Sequence, residues 1–578
     1  MNKPLSMFTV SALALSMAGP ISAADTTESI KRDTLQNLQQ TYAETSFDSF
    51  EDFLEQVQGE TDNDALKSAI DRYRQDETLE GTDFINVYRL LGLYTRLHYG
   101  DDVVDLLSDM VAIRTGKQGD TPQHENPGIA EFGELVKAKA EAFGLEFRNV
   151  DNRIFEVTLP GSSDEAFGIL THSDTVPANP ADWVLEDGTQ LDPFTTTIKD
   201  GKIYGRGTED DKASIAASLY AMKAIEENDV PLKRSIRLMI ETTEETGGEG
   251  FEYYKEHADL PAYNIVLDSG YPAITAEKGF GTIDAYFPMV EPRDENPVIT
   301  KITGGLATNQ IPSTSIATIQ SDDPEGLSKK LQAQGQAYAG DNGGDFEVST
   351  DVMDDTVTLT VKGQSAHSSR PQSGVNPVPR MAGLLAESDI DFQDNHYAQA
   401  IHYIDDNYGL DFQGEKLDVG YSHDFMGPLT LTPTYLEEQG DKLRVAVNVR
   451  APKGEQSVEE LAQTIEDKLK AYAEQNAQDM NVEVEISDWM LRDPSGEWLQ
   501  TLLNIFGDTT GQKAEPISSA GSTTAKQLPN AVNFGPSMPG EEYTGHTANE
   551  FKKVDNLMLD IQMFTEMLAR IGNQEQLD

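Results

Sequence analysis

Hydrophobic positions in the first hundred residues recur at three- and four-residue spacing. "TLQNLQQTYAETSFDSFEDFLEQVQ" and "DFINVYRLLGLYTRLHYG" place their Leu, Phe, Tyr and Val on one side of a 3.6-residue turn, which predicts amphipathic helices. Residues 25–100 are therefore expected to form a helical N-terminal extension packed on the body. A different regime begins at "DDVVDLLSDMVAIRT". The helical "GIAEFGELVKAKAEAFG" gives way to the strand-like "RIFEVTLP" and the short apolar run "AFGIL". A helix near 213–226 then separates these from the strand patterns "SIRLMIE" and "YNIVLD". Strands alternating with helices predict an α/β fold with a mostly parallel sheet. In such sheets, sites collect beyond the carboxyl ends of the strands.

Over residues 282–487 the pattern includes strict alternation, as in "TVTLTVKG" and "KLRVAVNVR", together with helices such as "SVEELAQTIEDKLKAYAEQ". The α/β pattern resumes over 488–578 with "GEWLQTLLNIFGDTTG", "NAVNFGP" and a last helix from about 553 to 571. An α+β domain is thus expected as an insertion into an α/β domain made of 101–281 and 488–578.

Charge narrows the range of partners. The chain carries 99 acidic and 44 basic residues, a formal net charge of -55. Nucleic acid and anionic membranes both need basic surface, so neither is expected as a main partner. The first residues, "MNKPLSMFTVSALALSMAGPISAADTTE", have the order of a secretory signal peptide over 1–24. Lys3 precedes an apolar run from about Met7 to Met17, and small residues precede Asp25. That run is too short to span a bilayer. A periplasmic or secreted protein is expected, with no membrane insertion of the mature chain. There is no cysteine, so an exported chain must rely on its core rather than on disulfides.

The candidate chemistry lies where the strands end. After "AFGIL" comes "THSDTVP", with His172 and Asp174. After "GKIYGRG" comes "TEDDKAS", with Asp210 and Asp211. Glu244 and Glu245 follow "SIRLMI", and Asp268 ends "YNIVLD". Taken alone, paired glutamates in so acidic a chain read as a solvated loop, and a lone His-x-Asp as two polar side chains facing water. Gathered at one edge of a parallel sheet they form an acidic pocket. Imidazole and carboxylate donors suit zinc, with cobalt or manganese as substitutes. A second imidazole, His546 in the Gly/Pro-rich "FGPSMPGEEYTGHTANEF", would suit a two-metal centre.

"THSDTVP", "GRGTEDDKAS", "ETTEETGG", "VLDSG" and "PGEEYTGHTANEF" resemble, in order and spacing, the successive motifs of the M20 family of co-catalytic zinc metallopeptidases, and in particular its bacterial dipeptidase branch. The resemblance covers about residues 101–578. It implies two Zn2+ per chain. His172 and Asp268 would bind one zinc, Glu245 and His546 the other, and Asp210 would bridge them. Asp174 would orient His172, and Glu244 would be the general base that activates a metal-bridging water. The Asp210–Asp211 peptide is expected to be cis. In the inserted region, "GGLATNQIP" resembles the segment that brings an Asn, here Asn309, near the substrate. "KGQSAHSSRPQSGVNP" resembles a lid motif whose His, here His367, stabilises the oxyanion. "VNVRAPKG" supplies Arg450 for the substrate carboxylate, and "AGSTTAKQLPNAVNFGP" places Gly521 and Ser522 beside it.

A lid of roughly 200 residues is large for the family, whose dimeric members take contacts from a neighbour. The resemblance therefore implies a monomer whose His367 acts in its own site. The expected activity is hydrolysis of unblocked dipeptides, so the expected partner is a small peptide substrate. An aminoacylase or carboxypeptidase of the same fold shares the zinc ligands, and a non-catalytic peptide-binding protein would have no use for Glu244.

Overall fold

The computed structural model describes residues 29–291 and 297–578. The expected signal peptide, 1–24, lies outside them. Four apolar segments form the parallel centre of a nine-stranded mixed sheet: Ser235–Glu241, Ala166–His172, Tyr263–Val266 and Ala531–Asn533. All but the first residue of Ala166–His172 are buried, as expected of a strand covered on both faces. Antiparallel strands flank this centre, with Glu146–Val150 and Ile154–Leu159 on one side and Ile274–Glu277 and Met490–Leu491 on the other.

Register decides what the strand ends bring together. His172 pairs with Glu241, and Leu170 pairs with Val266. Glu244 and Glu245 therefore begin three residues beyond the partner of His172, while Asp268 lies two residues past Val266, level with His172. Sheet order thus converts separated motifs into neighbours.

Three helices pack against one another beside this sheet: Gly81–Ala112, Lys212–Glu227 and Val554–Asn573. Gly92 permits the closest approach, since a Cβ there would stand 2.4 Å from the Gln562 carbonyl oxygen. Arg89, fully buried, reaches Glu566 and Asp508, and Glu566 also pairs with Arg570. The N-terminal segment shares one continuous apolar core with the α/β body, through Phe50, Phe53 and Tyr94 among others. The division expected at residue 100 falls inside the continuous helix Gly81–Ala112, because that helix is buried against the body along most of its length.

The second sheet has eight antiparallel strands and its own apolar core. Thr356–Lys362 alternates buried and half-buried positions, as its sequence period requires. Helix Val458–Gln475 starts with a capping box between Ser457 and Glu460. The chain crosses from one sheet to the other at Lys278, between strands Ile274–Glu277 and Gly279–Pro288, slightly before the expected 282. It returns between Asn481–Ile486 and Met490–Leu491. Among the described residues, no helix is long and apolar enough to cross a membrane.

Candidate active site

His172 is buried at the end of its strand. Its Nδ1 lies 3.0 Å from the Asp174 carbonyl oxygen, which can only accept, so Nδ1 carries the proton. Nε2 is then left as a lone-pair donor, 2.8 Å from Asp210 Oδ1 and 3.8 Å from Asp268 Oδ1. The other imidazole, His546, adopts φ 65°, uncommon for a residue with a side chain. Its Nε2 stands 3.0 Å from Asp210 Oδ2 and 2.8 Å from Glu245 Oε1. Asp210 therefore offers one oxygen to each ring. The Asp210–Asp211 peptide is cis.

These side chains fall into overlapping groups whose donor atoms lie within 4.8 Å of one another: His172 with Asp210 and Asp268, Asp210 with Glu245 and His546, and His172 with Glu244 and Glu245. The first two contain the two ligand pairs implied by the sequence resemblance, with Asp210 common to both.

The electrostatics show what such crowding demands. Burial pushes the Asp268 carboxyl well above its ordinary range, reinforced by the Glu244 charge. Burial likewise pushes Glu244 up to about 7, with Glu245 and Asp210 adding to it and His172 opposing. Burial would raise Asp210 too, but the two imidazoles hold it far below the usual carboxylate range. The rings respond in turn. His546 is pushed up to about 10 by its hydrogen bonds to Asp210 and Glu245. For His172, burial opposes protonation, yet Asp174, Asp210 and Asp268 together raise it well above the ordinary value. The carboxylates thus draw positive charge onto both rings. A divalent cation at each ring would supply that charge, and the donor set of two imidazoles and at least three carboxylates fits zinc.

Backbone contacts hold the carboxylates in place. Asp174 is fully buried, and its two oxygens accept the N–H groups of Glu244 at 3.2 Å and Glu245 at 3.1 Å. Its carboxylate is 3.5 Å from His172 Nδ1, so the ring is oriented more closely by the Asp174 carbonyl than by its side chain. The Asp174 side chain therefore has two tasks: it faces the His172 ring, as expected, and it also positions the paired glutamates.

Other residues of the site carry no role in the sequence reading. Glu550 Oε1 accepts the N–H groups of Gly207, Glu209 and Asp210 at 2.8–3.1 Å, while Oε2 pairs with Arg206 at 2.5 Å. Glu550 therefore fixes the loop that presents Asp210. The Tyr543 hydroxyl donates to Asp210 Oδ2 at 2.5 Å. Asp211, beside it, takes a hydrogen bond from Thr171, and burial pushes it up to about 8. Both Glu550 and Tyr543 lie in the stretch around His546, yet only the fold shows what they reach.

The residues expected from the inserted domain form a second assembly. Gln310 pairs with His367 in a short two-stranded ladder, and Ser368 donates its N–H to the Asn309 carbonyl at 3.0 Å. Asn448 Oδ1 accepts from Ser368 Oγ at 2.9 Å and from Arg450 Nε at 3.1 Å. Arg450 Nη1 then reaches across to the Ala520 carbonyl at 3.3 Å, next to Gly521 and Ser522. Gly521 itself donates to Ser519 Oγ, and Ser522 is exposed. Asn309, His367, Arg450 and the Gly521 loop are thereby linked in series. Among the described residues, no hydrogen bond or ion pair joins His367 to the acidic cluster. His367 Nδ1 accepts the Ser369 N–H at 3.1 Å, so the neutral ring carries its proton on Nε2 and can donate from there. Burial, with Arg450 and Arg370 nearby, lowers its proton affinity and keeps that ring neutral.

Comparison with known proteins agrees with this architecture. The chain is 28% identical over 484 residues to the Beta-Ala-Xaa dipeptidase of Lactobacillus delbrueckii subsp. lactis, covering 82% of this chain and 97% of that one. It is 27% identical over 455 residues to the putative dipeptidase YtjP of Bacillus subtilis, covering 76% and 92%. Among solved structures, human carnosine dipeptidase 1 shares the fold, with a TM-score of 0.50 at 14% identity over 84% of this chain and 99% of that one. The sequence profile of peptidase family M20/M25/M40 matches residues 168–570, from the strand that ends in His172 to the last helix. A match that takes in every strand end of the acidic cluster, and covers most of the chain, means that this protein belongs to peptidase family M20/M25/M40.

Proposed function

We propose that this chain is an exported, monomeric, zinc-dependent dipeptidase that hydrolyses the peptide bond of unblocked dipeptides. The observation that carries the reading is Asp210, whose two carboxylate oxygens each face a different imidazole, with Glu244 beside them. His172 and Asp268 would hold one metal ion, Glu245 and His546 the other, and Asp210 both. When bound, such ions supply Lewis-acid chemistry, polarising a carbonyl and acidifying water. The dipeptidase names of the relatives that align along most of this chain support the substrate class.

Glu244 accepts a proton from the attacking water and later delivers it to the leaving amine. Its raised proton affinity suits a group that must both take and give. Asp174 holds Glu244 in place through the backbone N–H. His367 donates from Nε2 to the oxygen that develops negative charge once the lid closes. Arg450 takes the substrate carboxylate with the part of its guanidinium fork that Asn448 and Ala520 leave free. The side chain of Asn309 makes no hydrogen bond within the described residues and would add a polar contact to substrate.

The test is a panel of free dipeptides with matched N-acetylated dipeptides and tripeptides, each run with chelator and again after zinc is restored. Chelator-sensitive cleavage confined to free dipeptides is expected. Cleavage of the acylated compounds alone would move the assignment to an aminoacylase-like enzyme. Mass measurement of the mature protein recovered from the cell envelope or medium tests export, with a new N-terminus after Ala23 or Ala24 expected. Light scattering tests the monomer.

A further inference from the structure

Where the chain passes between its two sheets, three cations converge on one short segment. Lys278 is the crossing residue and is only 4% exposed. Its N–H donates to the Ser519 carbonyl at 3.1 Å, and its Nζ donates to the Pro428 carbonyl. Lys526 donates through Nζ to the carbonyl of Lys278 itself. Arg450 pairs in register with Phe280, lies over its ring at 4.6 Å, and reaches the Ala520 carbonyl. Arg450 thus meets the segment 519–521 with its side chain and Lys278 meets it through its backbone N–H, while Lys526 holds the Lys278 carbonyl, so the three cationic residues gather around the crossing.

None of them forms an ion pair among the described residues; the protein contacts of their charged groups are carbonyls, the Asn448 side chain and, for Arg450, the Phe280 ring. That is unexpected in a chain of net charge -55. Glu277, next to Lys278, does not serve, because its buried carboxylate is taken by the Thr523 N–H and hydroxyl and by the Asn533 amide. Burial and the Arg450 charge push the Lys278 amine down to about 8. Lys526 is also pushed down to about 8, by burial first, with Arg450 adding and Glu277 and Asp488 opposing. Glu277 and Asp488 offset part of the Lys526 charge from a distance, but no carboxylate reaches any of the three cations in an ion pair among the described residues, and grouping such poorly hydrated cations is costly unless an anion arrives to offset them. Each lysine spends one of its three N–H donors on a carbonyl and keeps the others.

We propose that Lys278 and Lys526 form a second carboxylate subsite beside Arg450, so that the site selects dipeptides whose C-terminal residue is Asp or Glu. The inference rests on the dipeptidase reading, in which Arg450 takes the α-carboxylate. The side-chain carboxylate then falls to the two lysines. Three cations facing two carboxylates bring the segment close to charge balance, and the position of Lys278 at the crossing couples occupancy to the relative setting of the two sheets.

The experiment compares Ala-Glu with Ala-Gln, which differ in charge and barely in size. Wild-type enzyme is expected to favour Ala-Glu in kcat/KM by about tenfold or more, the range a charge-assisted contact supplies. Lys278→Gln and Lys526→Gln keep a donor for the carbonyls while removing charge, and each is expected to lower the Ala-Glu to Ala-Gln ratio about tenfold. A wild-type ratio near one, or variants that lose both substrates in parallel, would overturn the subsite and leave the lysines as backbone staples. The same two peptides are also titrated into Glu244→Gln protein by calorimetry. That measurement reads the subsite without turnover, so absence of dipeptide cleavage by wild-type protein together with tighter binding of Ala-Glu than Ala-Gln by the Glu244→Gln protein refutes the reaction and keeps the subsite. Equal affinities refute the subsite whatever the reaction.

Discussion

At the acidic end of the site, carboxylates are held through backbone amides. Glu550 gathers three N–H groups of the loop that presents Asp210, Asp174 gathers the N–H groups of Glu244 and Glu245, and the Asp174 carbonyl sets the His172 ring. At the lid end the anchoring is sparser. His367 and Asn309 are exposed, and among the described residues their hydrogen-bonded link to Arg450 runs through Ser368 and Asn448. Two metal ions tolerate little displacement of their ligands, so their positions must be fixed before substrate arrives. A lid has to move to admit and release peptide, so its groups gain from being tied mainly to one another, with the Arg450–Ala520 contact as their link to the catalytic side. On the proposed reading, the contrast separates residues that would hold metal from residues that would recognise and activate substrate.

The strongest way to break this contrast is at the shared carboxylate. Asp210→Ala should lose metal at both positions and fall to background activity, measured by metal analysis alongside dipeptide hydrolysis. Full metal content in that variant would end the assignment of Asp210 as the common ligand. Next comes Glu244→Gln, which removes a base but no implied metal ligand. Its kcat should fall by about 10²–10⁴ with metal content retained, the usual range for general base removal. Loss of metal together with activity would make Glu244 a ligand, as its group with His172 and Glu245 allows. His367→Ala tests the lid end: a fall of about 10²–10³ in kcat is expected, with metal content unchanged.

How much of this could be read beforehand follows from what each residue depends on. His172, Asp268 and the paired glutamates were legible because a parallel sheet puts strand ends side by side, and strands announce themselves by apolar runs. The lid strands were legible for the same reason, through alternation. The work of Glu550 was not, since it depends on three amides of a loop more than 300 residues away in sequence. Asp174 was only half legible: its nearness to His172 is local, but its grip on Glu244 and Glu245 requires the pairing of two strands. The continuous helix Gly81–Ala112 was divided at residue 100 because the character of the sequence changes there while helical hydrogen bonding does not.

Glu550→Gln sharpens the metal end by weakening an anchor rather than a ligand. The amide oxygen still accepts from the loop, but its NH2 faces Arg206 and leaves that buried guanidinium unpaired. Metal affinity should drop by about 10–100-fold, the usual cost of losing a group that orients a ligand. Unfolding should become easier by about 3 kcal/mol, typical for breaking a buried charge pair. Metal titration and denaturant melts measure the two separately. Unchanged metal affinity with lowered stability would mean that the loop holds Asp210 without Glu550.

Ser369→Ala is the mildest change and asks whether the lid end also relies on its backbone. His367 Nδ1 lies 2.7 Å from the Ser369 hydroxyl and accepts the Ser369 N–H at 3.1 Å. Removing the hydroxyl leaves the N–H, which can only donate. Nδ1 therefore remains an acceptor, and the proton stays on Nε2, where the proposed oxyanion contact would use it. The expected loss is one neutral hydrogen bond, about a threefold to tenfold fall in kcat. A fall as large as that of His367→Ala would mean that the hydroxyl, not the amide, fixes the tautomer. The lid would then depend on a side-chain contact, while the acidic end depends on amides, and the two ends would differ in the kind of anchor as well as in the number.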